Sequence, residues 1–422
     1  MIRRLFLCQG SVQMLTAAAA AAVEDRDRNG EAVENIIVVH GLFASEEKAF
    51  RAVIDVMAKA LLRPRAIHHL GETELADWGR ALKNRPRSWV LAAVRRRFSL
   101  SRVDEIYASR GWLLGNELLL HAYPDARRIC YGDGIGFPFS RDYGSPAGTP
   151  SYFADPHRAV GEARGLTSFW RRIKAGMGIE REAPELGFHQ GFFALPTLFE
   201  RPDFPWTRLE PRDFHRLFRQ LDAIEAPPFF SGRPAVVALT SNLSEALRIG
   251  GGHELDAYFE WLAAHSGRLR LLLKPHPRER LEKVQELARR LAPYFPEVGI
   301  AREGPFPLEW LLWREPSERE LSRYVTFGTS CLSLAFLFGL RAELGFGEAL
   351  VRRYFSATNG EWRLLYEKDL RSGLDELMSR DNDSTTRFTS FSSSVIADGS
   401  ISARRCQLSA TGQETSGAPT DA

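Results

Sequence analysis

Four short stretches of the chain carry side chains suited to acid–base chemistry or to binding phosphate. Each follows or adjoins an apolar run, and ligands of open parallel sheets bind outside the carboxyl ends of the strands. The stretches are YGDGIG with Asp133, KPHPRE with Lys274, His276, Pro277 and Arg278, PLEW with Glu309, and TFGTS with Gly328, Thr329 and Ser330. A carboxylate from the first half of the chain and cationic and hydroxyl groups from the second half could therefore meet at one site.

Asp133 lies between two glycines, Gly132 and Gly134, at the end of the strand-like run ARRICYGDG. Glycines there remove side-chain bulk, which would let a large hydrophilic substrate reach the carboxylate. A carboxylate within reach of a sugar hydroxyl can act as a general base. The alternative is an Asx turn that closes the strand, and the motif by itself leaves both interpretations open.

The segment KPHPR combines an imidazole with two cationic side chains on a backbone that two prolines restrict. Lys274, His276 and Arg278 alternate with the prolines, so an extended backbone would direct all three to one side. The neighbouring cations favour a neutral imidazole, and phosphate is the ligand that such a group suits best. A turn histidine that caps the next helix is the alternative.

In TFGTSCLSLAFLFG a strand turns at Gly328 and enters an apolar helix, with Thr329 and Ser330 at the expected N-cap. The first helical N–H groups and two hydroxyls would converge where the helix dipole favours negative charge. Ordinary capping would also explain a hydroxyl at this position. The phosphate interpretation therefore depends on pairing this segment with His276.

Alternating strand-like and helix-like segments must position these residues. The apolar runs NIIVVHGL, VDEIYAS and ARRICYG belong to such an alternation, and AVVALTS, RLRLLLK and YVTFG continue it later in the chain. This βαβ order implies parallel sheets covered by helices. We therefore predict an α/β protein with two Rossmann-like domains whose parallel sheets face a central cleft.

Composition sets the class of the protein and its domain organisation. The 422 residues are 44% apolar and 26% charged, with a formal net charge of +3. These values indicate a soluble globular protein and argue against a general nucleic-acid binder, which would carry a basic stripe interleaved with aromatics. The expected organisation is a disordered leader over 1–32, a first Rossmann-like domain over 33–225 with an irregular excursion over 141–225, a second domain over 226–378 and a disordered tail over 379–422.

The beginning of the chain, MIRRLFLCQGSVQMLTAAAAAA, imitates a signal peptide, but polar residues interrupt its apolar stretch at Gln9, Ser11 and Gln13. No later window has the roughly 20 apolar residues of a membrane span. The four cysteines, Cys8, Cys130, Cys331 and Cys406, show neither a CxxC pair nor metal-ligand spacing. These features predict a reduced, cytoplasmic protein.

An esterase is one alternative, because a strand that ends in His40 and Gly41 resembles the oxyanion loop of α/β-hydrolases. Such an enzyme needs a GxSxG nucleophile elbow. The nearest candidate runs from Gly328 through Ser330 to Leu332, where leucine replaces the final glycine. A bulky residue there would crowd the strained turn, which argues against a hydrolase.

Taken together, YGDG at 131–134, KPHP at 274–277, PLE at 307–309 and GTS at 328–330 resemble the ordered motif set of bacterial sialyltransferases and polysialyltransferases with the GT-B fold. Those families show an acidic-acidic-glycine motif, then an HP motif, then a paired Ser/Thr motif. The resemblance extends over about residues 33–375 and is nearest to the polysialyltransferase-like group. One position departs from the pattern, since Gly132 stands where the first acidic residue is expected.

The resemblance implies roles for individual residues. Asp133 would be the general base that deprotonates the acceptor hydroxyl, and His276 would assist the departure of cytidine monophosphate (CMP). Glu309 would accept hydrogen bonds from the ribose hydroxyls. The implied nucleotide- and phosphate-binding residues are Lys274, Pro277, Arg278, Glu309, Gly328, Thr329 and Ser330, and the implied acceptor-side residues are His40, Gly41 and Gly134.

The implied reaction is an inverting transfer of a sialic acid, or a related nonulosonic acid, from a CMP-sugar donor to a glycan or glycolipid acceptor. The domain over 33–225 would be the acceptor side, and the domain over 226–378 would bind the CMP-sugar. No metal or cofactor is expected, because a donor with a single phosphate needs no divalent cation to neutralise its leaving group.

Such an enzyme would work in capsular or other surface polysaccharide synthesis, in the cytoplasm and peripherally beside the export machinery of the inner membrane. The closest alternative is a transferase of the same architecture that uses CMP-Kdo or a CDP-polyol. A non-catalytic protein that binds glycan or nucleotide is a further alternative, and its support is Gly132 in place of an acid.

Overall fold

Two parallel β-sheets, one from each half of the chain, carry the strand ends on which most of the candidate residues lie. The structure is a computed structural model that describes residues 1–28, 30–40, 47–111, 113–138, 186–199, 201–301 and 306–388. The first sheet contains β1 (Ile2–Cys8), β2 (Val33–His40), β3 (Ala66–Leu70), β4 (Glu105–Ala108), β5 (Arg127–Cys130), β6 (Gln190–Phe193) and β7 (Trp206–Arg208). Their order across the sheet is β3-β2-β1-β4-β5-β6-β7, and every neighbouring pair is parallel.

The second sheet repeats this doubly wound plan with five strands. They are β8 (Ala235–Leu239), β9 (Arg270–Lys274), β10 (Val298–Ile300), β11 (Arg323–Thr326) and β12 (Glu343–Leu344). Their order is β10-β9-β8-β11-β12, again with parallel neighbours, so the direction of winding reverses between β8 and β11. The predicted α/β fold class with two parallel sheets is confirmed.

The helices cover both faces of each sheet. In the first half they are α1 (Ser11–Glu24), α2 (Glu47–Leu61), α3 (Glu72–Asn84), α4 (Arg87–Phe98), α5 (Leu114–Ala122) and α6 (Pro211–Leu221). In the second half they are α7 (Gly251–Ala263), α8 (Leu281–Leu291), α9 (Leu308–Arg314), α10 (Pro316–Leu321), α11 (Ser330–Phe338), α12 (Gly347–Tyr354) and α13 (Ala357–Phe388).

The expectation of a disordered leader over 1–32 is wrong. β1 is an interior strand of the first sheet, paired with β2 from Ile2↔Val33 to Cys8↔Val39 and with β4 on its other edge. Its side chains alternate between two cores, because Phe6 belongs to one and Leu5 to the other. A basic start followed by an apolar run and an alanine-rich helix has the composition of a signal peptide and of a buried strand–helix unit alike.

The irregular excursion predicted over 141–225 is wrong for its second part. Residues 190–221 add β6, β7 and α6 to the fold, while the first part, 141–185, lies outside the described residues. Helix α6 has a clear start, since Pro211 follows Glu210, and Glu210 and Asp213 form a capping box. The strands escaped prediction because they are short and rich in glycine and aromatics.

The two halves share one continuous core within a compact unit that spans Met1–Ser379. Phe6 of β1 and Val237 of β8 belong to the same apolar cluster, because each sheet turns one face toward the other half. The domain boundary predicted at 225/226 falls between the end of α6 and the start of β8.

Helix α13 returns from the second half to the first. An added Cβ at Gly373 would lie 2.9 Å from a Leu198 side-chain carbon, and the Thr197 hydroxyl donates to Glu376 at 3.0 Å. The expectation of a disordered tail from 379 is wrong up to Phe388, where this helix ends, and residues 389–422 lie outside the described part of the chain.

Within the described ranges, no helix has the length and apolar character required to cross a bilayer. Cys8, Cys130 and Cys331 are buried free thiols, and Cys406 lies outside the described residues.

Candidate active site

A cavity of about 420 Å³ lies between the carboxyl ends of the two sheets. Segments that follow β8 and β11, the two strands between which the winding reverses, form one wall, as expected for a ligand site at a switch point. From the first half the cavity is lined by Asp133, Phe137, Pro138 and Phe199. From the strand ends of the second half it is lined by Ser241, Asn242, Arg248, Arg278, Gly328 and Thr329, among others.

Asp133 is held by a tight backbone loop after β5. Its N–H donates to the Phe137 carbonyl and its carbonyl accepts from the Phe137 N–H, both at 2.8 Å. Gly132, Gly134 and Gly136 all have positive φ, at +74°, +54° and +97°. The glycines therefore serve the loop's own conformation, which corrects the expectation that they clear a path for substrate.

The missing acid at position 132 has a steric cause. An added Cβ at Gly132 would lie 2.5 Å from the carbonyl oxygen of Phe137, and the positive φ disfavours any side chain there. No acidic residue could occupy this position without changing the loop that carries Asp133.

Two groups of the first half bind the carboxylate. Gln13 Nε2 donates to Asp133 Oδ1 at 2.9 Å, and Arg110 lies 3.3 Å from Oδ2. Burial by itself would raise the pKa of Asp133, but Arg110, the bond from Gln13 and the nearby Arg278 together lower it. Asp133 is therefore ionised at neutral pH.

Sequence reasoning missed the role of Gln13, which it treated as a polar interruption of an apolar leader. A glutamine inside an otherwise apolar helix is unusual, and that contrast is the signal that could have identified it. The residue lies on α1, directly after β1, and its side chain contacts the Asp133 loop.

His276 does not line the cavity, although its neighbour Arg278 does. Burial, Arg278 and Lys274 lower the pKa of His276 to about 3, so the imidazole is neutral, as predicted. Its Nδ1 accepts the Arg278 N–H at 3.1 Å, which leaves the proton on Nε2. The side chain can therefore donate one hydrogen bond.

Lys274, Pro277 and Arg278 surround this imidazole. Lys274 is the last residue of β9, Pro277 is exposed, and neither lines the cavity. Enclosure by the protein and the neighbouring Arg110 lower the pKa of Arg278, while Asp133 and Glu72 raise it. Of Lys274, Pro277 and Arg278, it is Arg278 that lines the cavity together with Asp133.

A buried ion cluster lies beneath this loop, and sequence reasoning missed it. Glu279 accepts the His276 N–H at 3.0 Å and the Thr240 hydroxyl, and it lies 3.0 Å from Lys283. Lys283 also contacts Glu245 at 3.0 Å and Glu254 at 2.7 Å. The i, i+4 spacing of Glu279 and Lys283 was visible in the sequence, but such pairs are usually exposed and uninformative.

The segment after β11 provides the amino-terminal turn of α11. Thr329 is the N-cap residue, as predicted, with φ −64° and ψ −8°, but its side chain makes no capping hydrogen bond. An added Cβ at Gly328 would meet only the Tyr366 hydroxyl, at 3.9 Å, so the backbone here borders open space. Gly328 and Thr329 line the cavity, whereas Ser330 begins the helix just behind them.

Glu309 is separate from this cavity. Its side chain is 6% exposed, its Oε2 has no hydrogen-bond partner among the described residues, and burial raises its pKa, partly offset by Ser333. The residue does not line the cavity, so its predicted contact with a ribose stays a prediction.

Of the predicted acceptor-side residues, the structure describes His40 and Gly134, and both are held by contacts within the protein. His40 is 1% exposed and its Nε2 lies 2.7 Å from Asn116 Oδ1, so the expectation that it contacts an acceptor is wrong. An added Cβ at Gly115 would clash with the His40 ring, which explains this close packing. The Gly134 carbonyl accepts the Thr16 hydroxyl at 2.7 Å, and Gly41 lies outside the described residues.

The arrangement around Ser330 is not that of a nucleophile elbow. Ser330 is absent from the described residues of positive φ, whereas the elbow is a strained turn. Leu332, at the position of the missing glycine, is fully buried in the shared core. The described residues also contain no group of three His, Cys, Asp or Glu side chains that could hold a metal ion.

Helix α13 forms a further side of the cavity, next to the segment that follows β11. Trp362, Arg363 and Tyr366 line it, and Phe199 and Arg248 adjoin them. Sequence reasoning missed these residues because it searched strand ends, and a helix far along the chain gives no such signal.

Comparison with protein-family models gives no match, and comparison with the curated proteins gives none either. Among solved structures, the chain is similar to a putative UDP-N-acetylglucosamine 2-epimerase from Listeria monocytogenes, with 9% identity over 77% of this chain and 74% of that one and a TM-score of 0.42. It is also similar to the E. coli heptosyltransferase WaaC with ADP, with 13% identity over 89% and 100% and a TM-score of 0.34. Acinetobacter baumannii MurG shares 10% identity over 92% of each chain, with a TM-score of 0.35.

Proposed function

We propose that this chain is an inverting glycosyltransferase that moves a sialic acid, or a related nonulosonic acid, from a CMP-sugar donor to a glycan or glycolipid acceptor. The observation that supports the proposal is one cavity that is lined by the carboxylate of Asp133, the guanidinium of Arg278 and the amino-terminal turn of α11. A phosphate-bearing leaving group suits the cationic wall, and an acceptor hydroxyl suits the carboxylate.

In the proposed reaction Asp133 accepts the proton of the acceptor hydroxyl. The hydroxyl oxygen then forms a bond to the anomeric carbon, on the face opposite the phosphate, while the carbon–phosphate oxygen bond breaks. CMP leaves with the electron pair. Arg278 and the first N–H groups of α11 would stabilise its negative charge without a metal or cofactor. His276 does not line the cavity, so its predicted assistance to the departure of CMP stays a prediction.

The low pKa of Asp133 would weaken it as a base in the empty cavity. Part of that lowering comes from the positive charge of Arg278. A donor phosphate beside Arg278 would offset this charge, so the pKa of Asp133 would rise when the donor binds. The carboxylate would then be a better proton acceptor in the complex than in the free enzyme.

Thermal unfolding with added nucleotides tests the donor assignment. We expect CMP to raise the Tm and UDP or GDP to raise it much less, since a ligand at about 100 times its Kd adds about 2.7 kcal/mol to the unfolding free energy. Arg278→Gln should lose the CMP effect, whereas Arg289→Gln, an exposed substitution on α8, should keep it. Stabilisation by UDP alone would overturn the assignment.

The proposed setting is the cytoplasmic synthesis of a surface polysaccharide, beside the export machinery of the inner membrane. CMP-Kdo and CDP-polyols are the alternative donors, and direct comparison of turnover with each donor separates them. The acceptor-side contacts remain to be assigned from transfer products, because His40 is buried.

A further inference from the structure

The α13 side of the cavity carries cationic and aromatic groups that the proposed reaction does not use. Trp362, Arg363 and Tyr366 lie on neighbouring turns of this helix and line the cavity. Arg248, from the segment after β8, lies over the Trp362 ring, with its guanidinium carbon 4.5 Å from the ring centroid. These residues form a wall, which we call the α13 wall.

Arg363 has an unused hydrogen-bond donor in this wall. Its residue surface is 1% exposed, its Nε donates to Glu367 at 2.8 Å, and its Nη1 donates to the Phe327 carbonyl at 2.8 Å. Its Nη2 is buried without a partner among the described residues. A buried donor without an acceptor is unfavourable, so a ligand oxygen in the cavity would satisfy it.

Arg248 carries a positive charge that no carboxylate among the described residues neutralises. Its side chain makes no hydrogen bond or ion pair among the described residues, and burial lowers its pKa. A guanidinium that loses hydration without gaining an anion is characteristic of a site that binds one.

The charged residues that line the cavity indicate which anionic groups a ligand could carry. Arg248, Arg278 and Arg363 line it against one carboxylate, Asp133, which already contacts Arg110. Glu367 offsets Arg363. Asp133 and Glu72 also attract Arg278, so Arg248 is the cation of the lining that an anionic group of the ligand other than its phosphate would balance.

The aromatic residues of the α13 wall are parallel. Tyr366 stacks on Phe199 with ring centroids 5.7 Å apart at 11°, and on Trp362 with centroids 5.7 Å apart at 10°. Stacked aromatic side chains beside two guanidinium groups give the cavity an apolar border next to positive charge, which suits a sugar ring that carries a carboxylate.

We propose that Arg248 and Arg363 bind the carboxylate of the donor's sugar, with Tyr366 and Trp362 bordering its ring. This inference rests on the proposed function and narrows it, because it names carboxylate-bearing ketoses as the donor class. Arg278 and α11 are then left for the phosphate. A CDP-polyol, which has no carboxylate, would lack a partner for this subsite.

Calorimetric titration of the full chain tests the subsite with three probes: CMP, CMP-N-acetylneuraminic acid and the methyl ester of that donor, which lacks the carboxylate charge. We expect wild-type protein to bind the acid about 10- to 100-fold more tightly than the ester, since a charged hydrogen bond is lost. Arg248→Gln should bind the acid and the ester equally and keep the wild-type affinity for CMP. Arg352→Gln, an exposed arginine paired with Glu348, is the control and should keep the preference.

The outcomes separate this inference from the proposed function. Equal binding of acid and ester by wild-type protein, or an Arg248→Gln variant that loses CMP as much as the acid, would overturn the subsite and leave a CMP-binding enzyme. Absence of CMP binding would overturn the proposed function. In that case, Arg248-dependent binding of free N-acetylneuraminate would still support the subsite, and its absence would overturn that too. Arg363→Lys gives a second variant, which keeps the charge beside Glu367 but removes the donor Nη2.

Discussion

Each sheet carries a cluster of buried and partly buried ion pairs, but at opposite ends of its strands. In the first sheet, three arginines pair with three carboxylates where β1, β4 and β5 begin: Arg4, Arg28 and Arg127 with Glu24, Asp25 and Glu105. In the second sheet, one lysine contacts three carboxylates where β8 and β9 end: Lys283 with Glu245, Glu254 and Glu279. The first cluster is remote from the cavity, and the second lies beneath it.

The second cluster is bonded to the segments that form the cavity. Glu254 accepts the N–H groups of Leu243 and Ser244 at 3.0 and 2.9 Å, and Glu279 accepts the His276 N–H at 3.0 Å. The first half positions Asp133 differently, by the backbone turn of its glycine loop. Similar buried charges therefore stabilise the fold in one half and position a site in the other.

The largest effect is expected at Asp133, the single carboxylate among the described residues that line the cavity. Asp133→Asn should reduce transfer by about 10²- to 10⁴-fold, because the amide cannot accept the hydroxyl proton. CMP should still raise the Tm, since the phosphate side is unchanged. Turnover assays with a CMP-sugar and an accepted oligosaccharide measure the loss, and wild-type turnover would remove Asp133 from the mechanism.

The two ion clusters should respond differently to loss of a cation. Lys283→Met removes the cation that contacts Glu254 and Glu279, while Glu245 stays paired with Arg280. It should lower the unfolding free energy by about 3–5 kcal/mol. Arg4→Met leaves Arg28 and Arg127 beside Glu105 and should cost about 1–3 kcal/mol. Urea unfolding measures both values.

Ligand binding sharpens this comparison. CMP should raise the Tm of Lys283→Met much less than that of wild type. Lys283 contacts Glu279, which binds the His276 loop, and Glu254, which binds the segment 241–244, so its loss frees both segments. Arg4→Met should keep the rise. If both variants keep it, the second cluster has no positioning role.

A smaller effect is expected from the glycine loop that positions Asp133. Gly132 and Gly347 have nearly equal φ, +74° and +75°, but an added Cβ would meet backbone only at Gly132. Gly347→Ala should therefore cost about 1–2 kcal/mol for backbone strain alone. Gly132→Ala should cost about 1–3 kcal/mol more for the clash and should also lower transfer. Equal losses in urea unfolding would show that the loop can relax.

Sequence reasoning succeeded where local pattern and tertiary position agree. Asp133, Arg278 and Thr329 could be predicted because each follows a strand, and parallel strands have their carboxyl ends at one edge of the sheet. Sequence reasoning failed for β1, because a buried interior strand and a signal peptide share a composition. It also failed for Arg363, because a helix residue joins the site only after α13 packs beside the cavity. A residue that reaches the site through packing between segments distant in the sequence has no local sequence pattern that would predict its role.

The last comparison concerns pH and Glu279 of the second cluster. Burial raises the pKa of Glu279 to about 7 from its ordinary 4.5, even though Lys283, Thr240 and His276 act in the opposite direction. Between these values the folded chain holds a proton that the unfolded chain releases, so this contribution to stability is complete below pH 4.5 and is lost as the pH rises through 7.

Glu279→Gln stays neutral and should show a smaller fall in urea midpoint between pH 5 and pH 8 than wild type. Glu286→Gln, an exposed substitution on α8, the helix that follows Glu279, should behave like wild type. An unchanged slope in Glu279→Gln would assign the pH dependence to other groups and leave Glu279 ionised beside Lys283.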